Sequence, residues 1–285
     1  MADRTSTDLS PTTSAALPSP LQRTNWRPAA PLAAHVDRYS WWSEFAPTCL
    51  SRRELASTRG VFIINLGQPL EIVDARGSAH RILAGDGVLG GVSRATSLSR
   101  AVGEMEGLHV HMCLISLGRL FGLPMAELID RVVRLSDLPE TGASDLGHRL
   151  LGTKSPEQKR ALLDEALVKR LVNAPASDPL REVLTALSRR RAVGAIAAEL
   201  GWSRKRLARR LRDTTGLLPR EYLSLLRFER FADLLQTRPH LSLAEMAAHA
   251  GYADQPHLAR AVSRFARTTP SDLRARLLPG GGFRD

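Results

Sequence analysis

The hydrophobic and polar positions between residues 193 and 273 form one pattern that occurs twice. The first copy begins at Val193 and the second at Leu243, and their small residues, glycine and aromatic residue match fifty positions apart. In each copy a short alanine-rich helix is predicted to end at a glycine, Gly201 or Gly251, because the left-handed conformation at a helix end favours glycine. The pattern therefore predicts two helix-turn-helix units.

The second helix of each unit has its own start signal and its own inward face. Ser203 and Asp254 stand where these helices begin, and both residue types are favourable N-caps. Apolar positions four residues apart lie on one side of a helix. They are Leu207 and Leu211 in the first unit, and Leu258 and Val262 in the second. The polar residues between them face outward and are free to read a DNA groove.

Prolines predict further helices around the two units. Pro219 introduces a helix from Glu221 to Gln236, which would form a rigid bridge between the units. Pro270 introduces a closing helix over residues 271–278. A helix over residues 178–191 is expected to brace the first unit.

Short apolar runs separated by turn signals predict β-structure in the N-terminal half. Residues 61–66, 70–73 and 87–89 are strand candidates, and residues 108–114 alternate with a period of two. Strands at this spacing predict an antiparallel barrel or sandwich. The fold class is therefore α+β, with an all-α C-terminal domain in which a long helix joins two helix-turn-helix units. The predicted divisions are a disordered tail over 1–24, a β-rich domain over 25–135, a helical connector over 136–178, the double helix-turn-helix domain over 179–278 and a disordered tail over 279–285.

Two features of the N-terminal half have more than one interpretation. The aromatic residues Tyr39, Trp41, Trp42 and Phe45 either line a pocket or belong to an ordinary core. The helices of the connector either bundle with a partner chain or cover the barrel of their own chain.

The net charge of +11 is concentrated in the double helix-turn-helix segment. Residues 1–179 hold 20 basic and 19 acidic residues, whereas residues 180–285 hold 20 basic and 10 acidic residues. A basic surface on groove-reading helices is what binding of a polyanion requires. Double-stranded DNA is therefore the predicted partner.

Amino-acid composition excludes several other classes of protein. Two cysteines, Cys49 and Cys113, are too few for a disulfide scaffold or a structural zinc site, and they supply no cysteine cluster for a DNA-repair fusion. No stretch approaches the ~18 apolar residues of a membrane span, and the first residues lack an apolar secretory core. The expected location is cytoplasmic, in association with the nucleoid and not with a membrane.

The alternative function is metal chemistry in the N-terminal domain. Gly103, His109 and His111 resemble half of a cupin metal motif, and two imidazoles two positions apart on a strand share one face. The carboxylate that should follow is absent, because Ile115 and Ser116 occupy its positions. No catalytic triad, phosphate-cradling loop or nucleotide fingerprint occurs. We expect no enzyme, cofactor or metal, with His109 and His111 as weak metal candidates in a cupin-like enzyme or sensor domain fused to a DNA-binding module.

The two units together resemble the AraC/XylS family of bacterial transcription regulators. In the first unit the matching stretches are Ile196 to Ser203, Leu207 to Arg209, Thr215 to Pro219, Arg227 to Arg230 and Leu234-Leu235. In the second they are Met246-Ala247, Gly251-Tyr252, Asp254-Gln255, His257 to Ala261 and Thr268 to Ser271. The resemblance covers residues 180–276. A weaker similarity to β-rich sensing domains of actinobacterial members is best at residues 117–124.

The resemblance implies a transcription regulator, with RNA polymerase as a partner and a small-molecule effector at the N-terminal domain. It leaves open whether the regulator is an activator or a repressor, and whether it is a monomer or a homodimer. It also places one set of side chains toward the DNA bases: Arg204, Lys205, Ala208, Arg209, Gln255, Pro256, His257 and Arg260. Arginine and lysine suit guanine, and glutamine suits adenine. A second set consists of phosphate candidates that fix the register on the duplex: Ser203, Arg206, Arg210, Arg212 and Arg227.

Three positions depart from the family pattern. Arg267 stands where the family usually has glycine, Val262 where it usually has phenylalanine, and Phe231 where it usually has alanine. These departures are expected to weaken the packing of the second unit and to leave the first unit intact.

Overall fold

The computed structural model describes residues 21–138, 143–171, 178–278 and 282–284. Its N-terminal half is built on one antiparallel sheet. The strands are β1 (Gln22–Trp26), β2 (Val36–Glu54), β3 (Gly60–Asn65), β4 (Leu70–Val73), β5 (Ala79–Ile82), β6 (Gly87–Gly90), β7 (Ser97–Met112), β8 (Val132–Arg134) and β9 (Phe283–Arg284). Their order is β1-β2-β7-β3-β6-β8, with β4 joined to β5 and β7, and β9 joined to β2.

The long strand β2 bends so strongly that the sheet curls. Its pairing with β7 shifts register between Ala46 and Leu50. The Arg52 guanidinium forms an ion pair with Glu44, eight residues earlier on the same strand, although eight extended residues span ~26 Å. The sheet therefore has a concave face, on the Glu44 side, and a convex face.

Helices cover the convex face and complete the main apolar core. They are α1 (Leu114–Phe121), α2 (Ala143–Leu151) and α3 (Pro156–Leu171). Leu163 and Leu167 of α3 are fully buried, and Asp164 accepts a hydrogen bond of 2.8 Å from the Tyr39 hydroxyl. Of the two arrangements expected for the connector helices, the observed one is the covering of the chain's own sheet.

The aromatic residues that the sequence grouped together are divided between the two faces. Tyr39 is buried in the convex-face core, and Trp41 on the same face donates to Glu106 at 2.7 Å. Trp42 lies on the concave face, where its indole N–H donates to His109 Nε2 at 3.0 Å. Phe45 is half-buried. The group is therefore core on one face and part of a polar cluster on the other.

The expected terminal tails were wrong where the structure describes them. Residues 22–24 lie in β1 and pair with Trp41 to Ser43, and residues 283–284 form β9. Phe283 is 1% exposed. These pairings join residues distant in sequence, so no local pattern reveals them. Residues 1–20, 279–281 and 285, which the same expectation covers, lie outside the described part.

The described part of the C-terminal half contains seven helices. They are α4 (Pro179–Ser188), α5 (Val193–Glu199), α6 (Arg204–Thr215), α7 (Pro219–Thr237), α8 (Leu243–Ala250), α9 (Gln255–Ala266) and α10 (Pro270–Arg276). The sequence-based order of helices is confirmed, although α4 and α10 end sooner than expected. At 1.5 Å per residue, α7 is ~28 Å long. No helix among the described residues is long and apolar enough to cross a membrane.

A carboxylate on α7 joins the two halves. Glu229 accepts hydrogen bonds from the Ser57 hydroxyl at 2.7 Å, the Thr58 backbone N–H at 2.8 Å and the Thr58 hydroxyl at 2.7 Å. Thr58 is buried, in the loop between β2 and β3. Nearby, Gly216 at the end of α6 packs against Ala126 and Ile129. The bridging helix and the first unit are therefore both in contact with the sheet half.

A second polar contact fixes α4. The Arg181 guanidinium donates to the Ser116 hydroxyl at 2.8 Å, and this hydroxyl also lies 2.9 Å from His35 Nδ1. Ser116 and His35 are both buried. Burial, followed by the positive charge of Arg181, lowers the pKa of His35, so the imidazole is neutral at pH 7.

Candidate nucleic-acid interface

The two turns have the same backbone geometry. Gly201 and Gly251 adopt φ angles of 62° and 91°, in the left-handed region. The next residue in each unit closes the turn, because the N–H of Trp202 donates to Ala197 O at 2.8 Å and that of Tyr252 donates to the equivalent carbonyl at 2.9 Å. The prediction of two equivalent helix-turn-helix units is confirmed at this level of detail.

Both expected N-caps form. The Ser203 hydroxyl accepts a hydrogen bond from the Arg206 N–H at 3.1 Å, and Asp254 Oδ1 accepts one from the His257 N–H at 2.7 Å. Each cap satisfies one free amide at the start of the second helix. The N-terminal turns of α6 and α9 are therefore well formed at the position from which a recognition helix contacts bases.

The inward faces hold the helices in place. Leu207, Leu211 and Leu258 are at most 1% exposed, as the spacing predicted. In the second unit Phe228 of α7 packs against Phe265 with ring centroids 5.2 Å apart. This packing fixes each recognition helix on α7 or on its partner helix and leaves its polar side in solvent.

Most of the predicted base-reading residues are exposed. In α6, Arg204, Lys205 and Arg209 are exposed and Ala208 is half-buried. The Arg204 guanidinium lies over Gly194 of α5, where a Cβ atom would come within 2.9 Å of it. In α9 the exposed residues are Gln255, Pro256 and Arg260, whereas His257 is half-buried against the Tyr252 ring, with centroids 5.1 Å apart. Their roles toward bases stay predictions.

The residues predicted to contact phosphate have surroundings that differ from one residue to the next. Arg206 lies over the Trp202 ring, 4.9 Å from its centroid, which holds the guanidinium near the turn. Arg210 and Arg212 are exposed on α6. Arg227 on α7 is half-buried, and its Nε is buried without a hydrogen-bond partner among the described residues. Such an unpaired donor favours an anionic ligand at this point.

Arg227 lines an open cleft of about 430 Å³ between α7 and α9. Among the described residues, four arginines and a histidine surround it, with Glu221 as the acidic residue. The lining residues are Arg220, Glu221, Ser224, Arg227, His257, Arg260, Ala261 and Arg264. Sequence reasoning missed Arg220 and Arg264. Helical spacing gave a usable signal, because Arg264 lies one turn beyond Arg260 and Arg220 lies two turns before Arg227.

The second unit accommodates its departures from the family pattern. Val262 and Phe231 are fully buried, so neither disturbs the packing of the unit visibly. Arg267 ends α9 with φ 53°, in the left-handed conformation that glycine adopts without cost. Of the three departures, only Arg267 is therefore strained in the structure.

Replacing Arg267 by glycine is expected to stabilise the protein by about 0.5–1 kcal/mol, because the left-handed strain is removed while some unfolded-chain entropy is gained. Chemical denaturation monitored by circular dichroism measures the change. Ser263→Gly, in the right-handed last turn of the same helix, is the control and should destabilise by a similar amount. A loss of stability in Arg267→Gly equal to that in the control would contradict this interpretation.

The weak metal candidates lie elsewhere, on the concave face of the sheet. His109 Nε2 already accepts the hydrogen bond from Trp42. Within the described residues no three His, Cys, Asp or Glu side chains form a group able to hold a metal ion. Cys49 and Cys113 are free thiols.

Residues 178–276 therefore define a double helix-turn-helix DNA-binding module. Residues 196–276 match the model of a helix-turn-helix domain family. The chain is 32% identical over 80 residues to the HTH-type transcriptional activator RhaS of Escherichia coli O157:H7 (strain EC4115 / EHEC), a match that spans 28% of this chain and 28% of the relative. The module is thus similar to a helix-turn-helix domain family and to a transcriptional activator, in agreement with the resemblance described from the sequence.

Solved structures include two similar chains. ToxT from Vibrio cholerae O395 is 11% identical, with 83% of this chain and 96% of that chain covered and a TM-score of 0.49. A transcriptional regulator from Chromobacterium violaceum, with an AraC-type DNA-binding domain, is 25% identical, with 36% of this chain and 91% of that chain covered and a TM-score of 0.31.

Proposed function

We propose that this chain is a sequence-specific transcription regulator that reads two successive major grooves of double-stranded DNA. The observation that carries the proposal is the pair of solvent-exposed recognition helices joined by the ~28 Å helix α7. Successive major grooves on one side of the duplex lie ~34 Å apart. Helix α6 ends just before α7 begins, and α9 packs along α7 through Phe228 and the arginine-lined cleft. One rigid helix therefore fixes the spacing of both recognition helices, so one chain suffices to occupy both grooves.

Base reading is assigned to the exposed side chains near the start of each recognition helix. Arg204, Lys205 and Arg209 suit guanine, whose O6 and N7 accept two hydrogen bonds. Gln255 suits adenine, and Arg260 suits guanine in the second groove. Ala208 and Pro256 offer apolar contact, and His257 offers one hydrogen bond.

Phosphate binding is assigned to Ser203, Arg206, Arg210, Arg212 and Arg227. To these we add Arg220 and Arg264, because they line the same cleft as Arg227 and Arg260. An arginine-lined cleft between the bridging helix and a recognition helix suits the backbone of one DNA strand beside the groove. These contacts fix the position of the protein and carry no sequence information.

The remaining roles follow the relatives. An activator function is favoured because RhaS is named a transcriptional activator. RNA polymerase, a homodimeric state and a small-molecule effector at the sheet half belong to the same proposal. A cupin-like metal enzyme is not favoured, because the Trp42 indole N–H already donates a hydrogen bond to His109 Nε2. Localisation in the cytoplasm follows from the proposed DNA target.

The test is in vitro selection of DNA sites by the full chain, followed by footprinting of the selected site. We expect a conserved site of about 20 base pairs with two informative blocks one helical turn apart, protected on one side of the duplex. A shuffled site of equal composition is the control. Protection of a single groove, or equal affinity for the shuffled site, would contradict the proposal.

Arg264→Ala is expected to weaken binding to selected and shuffled DNA by similar factors, since it removes a phosphate contact. The slope of log affinity against log salt concentration should fall in magnitude by about 1. Fluorescence anisotropy titrations between low and moderate salt measure this slope. Arg238→Ala, an exposed arginine at the far end of α7 outside the cleft, should leave it unchanged. Equal slopes for both variants would remove the cleft from the interface.

A further inference from the structure

The concave face of the sheet carries a cluster of arginines and histidines from three strands. The register pairs Arg38 of β2 with His111 of β7, and Arg23 of β1 with Trp42 of β2. His109 lies two residues before His111, so both rings project to the same face. The His109 and His111 ring centroids are 6.0 Å apart. We call Arg23, Arg38, His109 and His111 the concave cluster.

The positive charge of the concave cluster is poorly balanced. Within the described part of the chain, Arg23 Nε is buried without a hydrogen-bond partner. Arg38 is attracted electrostatically by Asp37 and Asp233 but is hydrogen-bonded to no described residue. The carboxylates that attract these guanidiniums are mostly shared with other cations, since Glu54 attracts both Arg23 and Arg52, and Asp37, which attracts Arg38, lies 3.6 Å from Arg59. Half-buried guanidiniums whose hydrogen-bond donors are unsatisfied are costly, and an anion that accepts those hydrogen bonds lowers the cost.

The two histidines carry no charge that would balance the arginines, but their ring nitrogens can form hydrogen bonds. Burial, followed by the charges of Arg23 and Arg38, lowers the pKa of His109 to about 3. Burial and the neighbouring His109 lower the pKa of His111 to about 2. Both imidazoles are therefore neutral at pH 7. His111 Nε2 is buried without a hydrogen-bond partner among the residues that the structure describes, so one ring nitrogen is left for a ligand.

Apolar side chains adjoin the cluster on the same face. Val61 pairs in register with His111 and Ile63 with His109, and both are half-exposed. Trp42 packs edge-on against His109, with centroids 6.0 Å apart. A buried apolar group lies farther along this face: Ala46, Leu70, Ile72, Ile82, Val88, Ala101 and Met105. The concave face thus offers cationic donors beside apolar surface.

We propose that the concave cluster binds the carboxylate of a small organic anion, with Arg23 and Arg38 as its main donors and Val61, Ile63 and Trp42 against its apolar part. Guanidinium groups bind carboxylates through two parallel hydrogen bonds, which is the recognition this arrangement favours. The same arginines repel a metal cation. The site deepens the effector role proposed above, and only its link to DNA binding rests on that role.

The position of Arg38 supplies this link. Arg38 and Asp233 of α7 attract each other electrostatically. The loop of Ser57 and Thr58, hydrogen-bonded to Glu229 of α7, precedes β3, the strand of Val61 and Ile63. A carboxylate bound to Arg38 weakens its attraction to Asp233. Occupation of the cluster is thereby sensed by the helix that spaces the two recognition helices.

The test uses isothermal titration calorimetry of the full chain with benzoate, hexanoate, neutral benzamide and inorganic phosphate. We expect saturable binding of benzoate or hexanoate at one site, and binding of benzamide weaker by about tenfold or more, because benzamide lacks the charge. Arg38→Met should weaken carboxylate binding by about tenfold or more, whereas Arg81→Ala, an exposed arginine on β5, should not. The unfolding temperature of unliganded Arg38→Met should be unchanged or higher, since an unpaired charge is removed.

Several outcomes would overturn the proposal. Equal binding of benzoate and benzamide, unchanged binding in Arg38→Met, or no saturation by either carboxylate each does so. Phosphate binding that is lost in Arg264→Ala but kept in Arg38→Met assigns anion binding to the cleft between α7 and α9 instead. DNA footprinting of the unliganded wild-type protein separates the two proposals. An absent footprint with wild-type protein refutes DNA reading alone, and carboxylate binding by the cluster stands or falls on the calorimetry.

Discussion

Arg209→Ala is expected to weaken binding to the selected DNA site about 10- to 100-fold while leaving binding to shuffled DNA within a few-fold. The side chain is exposed on α6, about one and a half turns beyond the capped start of the helix. A bidentate contact with guanine contributes about 1–3 kcal/mol of discrimination, and truncation to alanine removes it. Competition titrations with single-base variants of the site measure the loss position by position.

Arg212→Ala is the matched control for this prediction. It is an exposed arginine on the same helix but is assigned to phosphate, so its loss should lower all affinities alike and leave the base preference intact. If Arg209→Ala behaves in the same way as Arg212→Ala, Arg209 is a phosphate contact. If affinity is unchanged, Arg209 does not touch DNA.

Glu229→Ala should destabilise the junction between the two halves by about 2–4 kcal/mol. The substitution removes the acceptor of three hydrogen bonds from Ser57 and Thr58, and the Thr58 N–H and hydroxyl lie in a buried loop. Buried donors that lose a charged acceptor cost about 1–3 kcal/mol each, reduced here by water that reaches the half-buried Glu229 site. Differential scanning calorimetry and hydrogen exchange of residues 57–58 measure the effect.

Glu229→Gln is the control, because the amide keeps the shape of the side chain and one acceptor oxygen. It should lose less than half of the stability that Glu229→Ala loses. Equal losses in both variants would mean that the negative charge and not the hydrogen-bond geometry holds the junction. No loss in Glu229→Ala would mean that apolar contacts alone hold α7 against the sheet.

The sequence predicted the helix-turn-helix units well because their signals are local. A left-handed glycine, an N-cap and a leucine repeat each act within one or two turns, and Gly251 and Asp254 behave as these signals require. The same locality explains why Arg267 could be singled out. A position that needs φ above zero favours glycine whatever surrounds it.

The concave cluster could not be predicted in this way. Arg23, Arg38 and His111 are far apart in sequence, and only the register of β1, β2 and β7 brings them together. His109 and His111 resembled part of a metal motif because the sequence hides their neighbours. Because two guanidiniums lie beside these histidines, the site favours an anion and not a metal cation. The pairing of β9 with β2 escaped prediction for the same reason.

Strand β9 has a consequence for how the DNA-binding module moves. Its residues Phe283 and Arg284 pair with Arg53 and Arg52 of the sheet, and at the other flank Asp178 meets Arg119 at 3.1 Å. A module that is held to the sheet half at both of its ends cannot rotate freely about either connection alone. Much of the rotational freedom that a loosely linked reader surrenders on the duplex is therefore already absent in the unbound molecule.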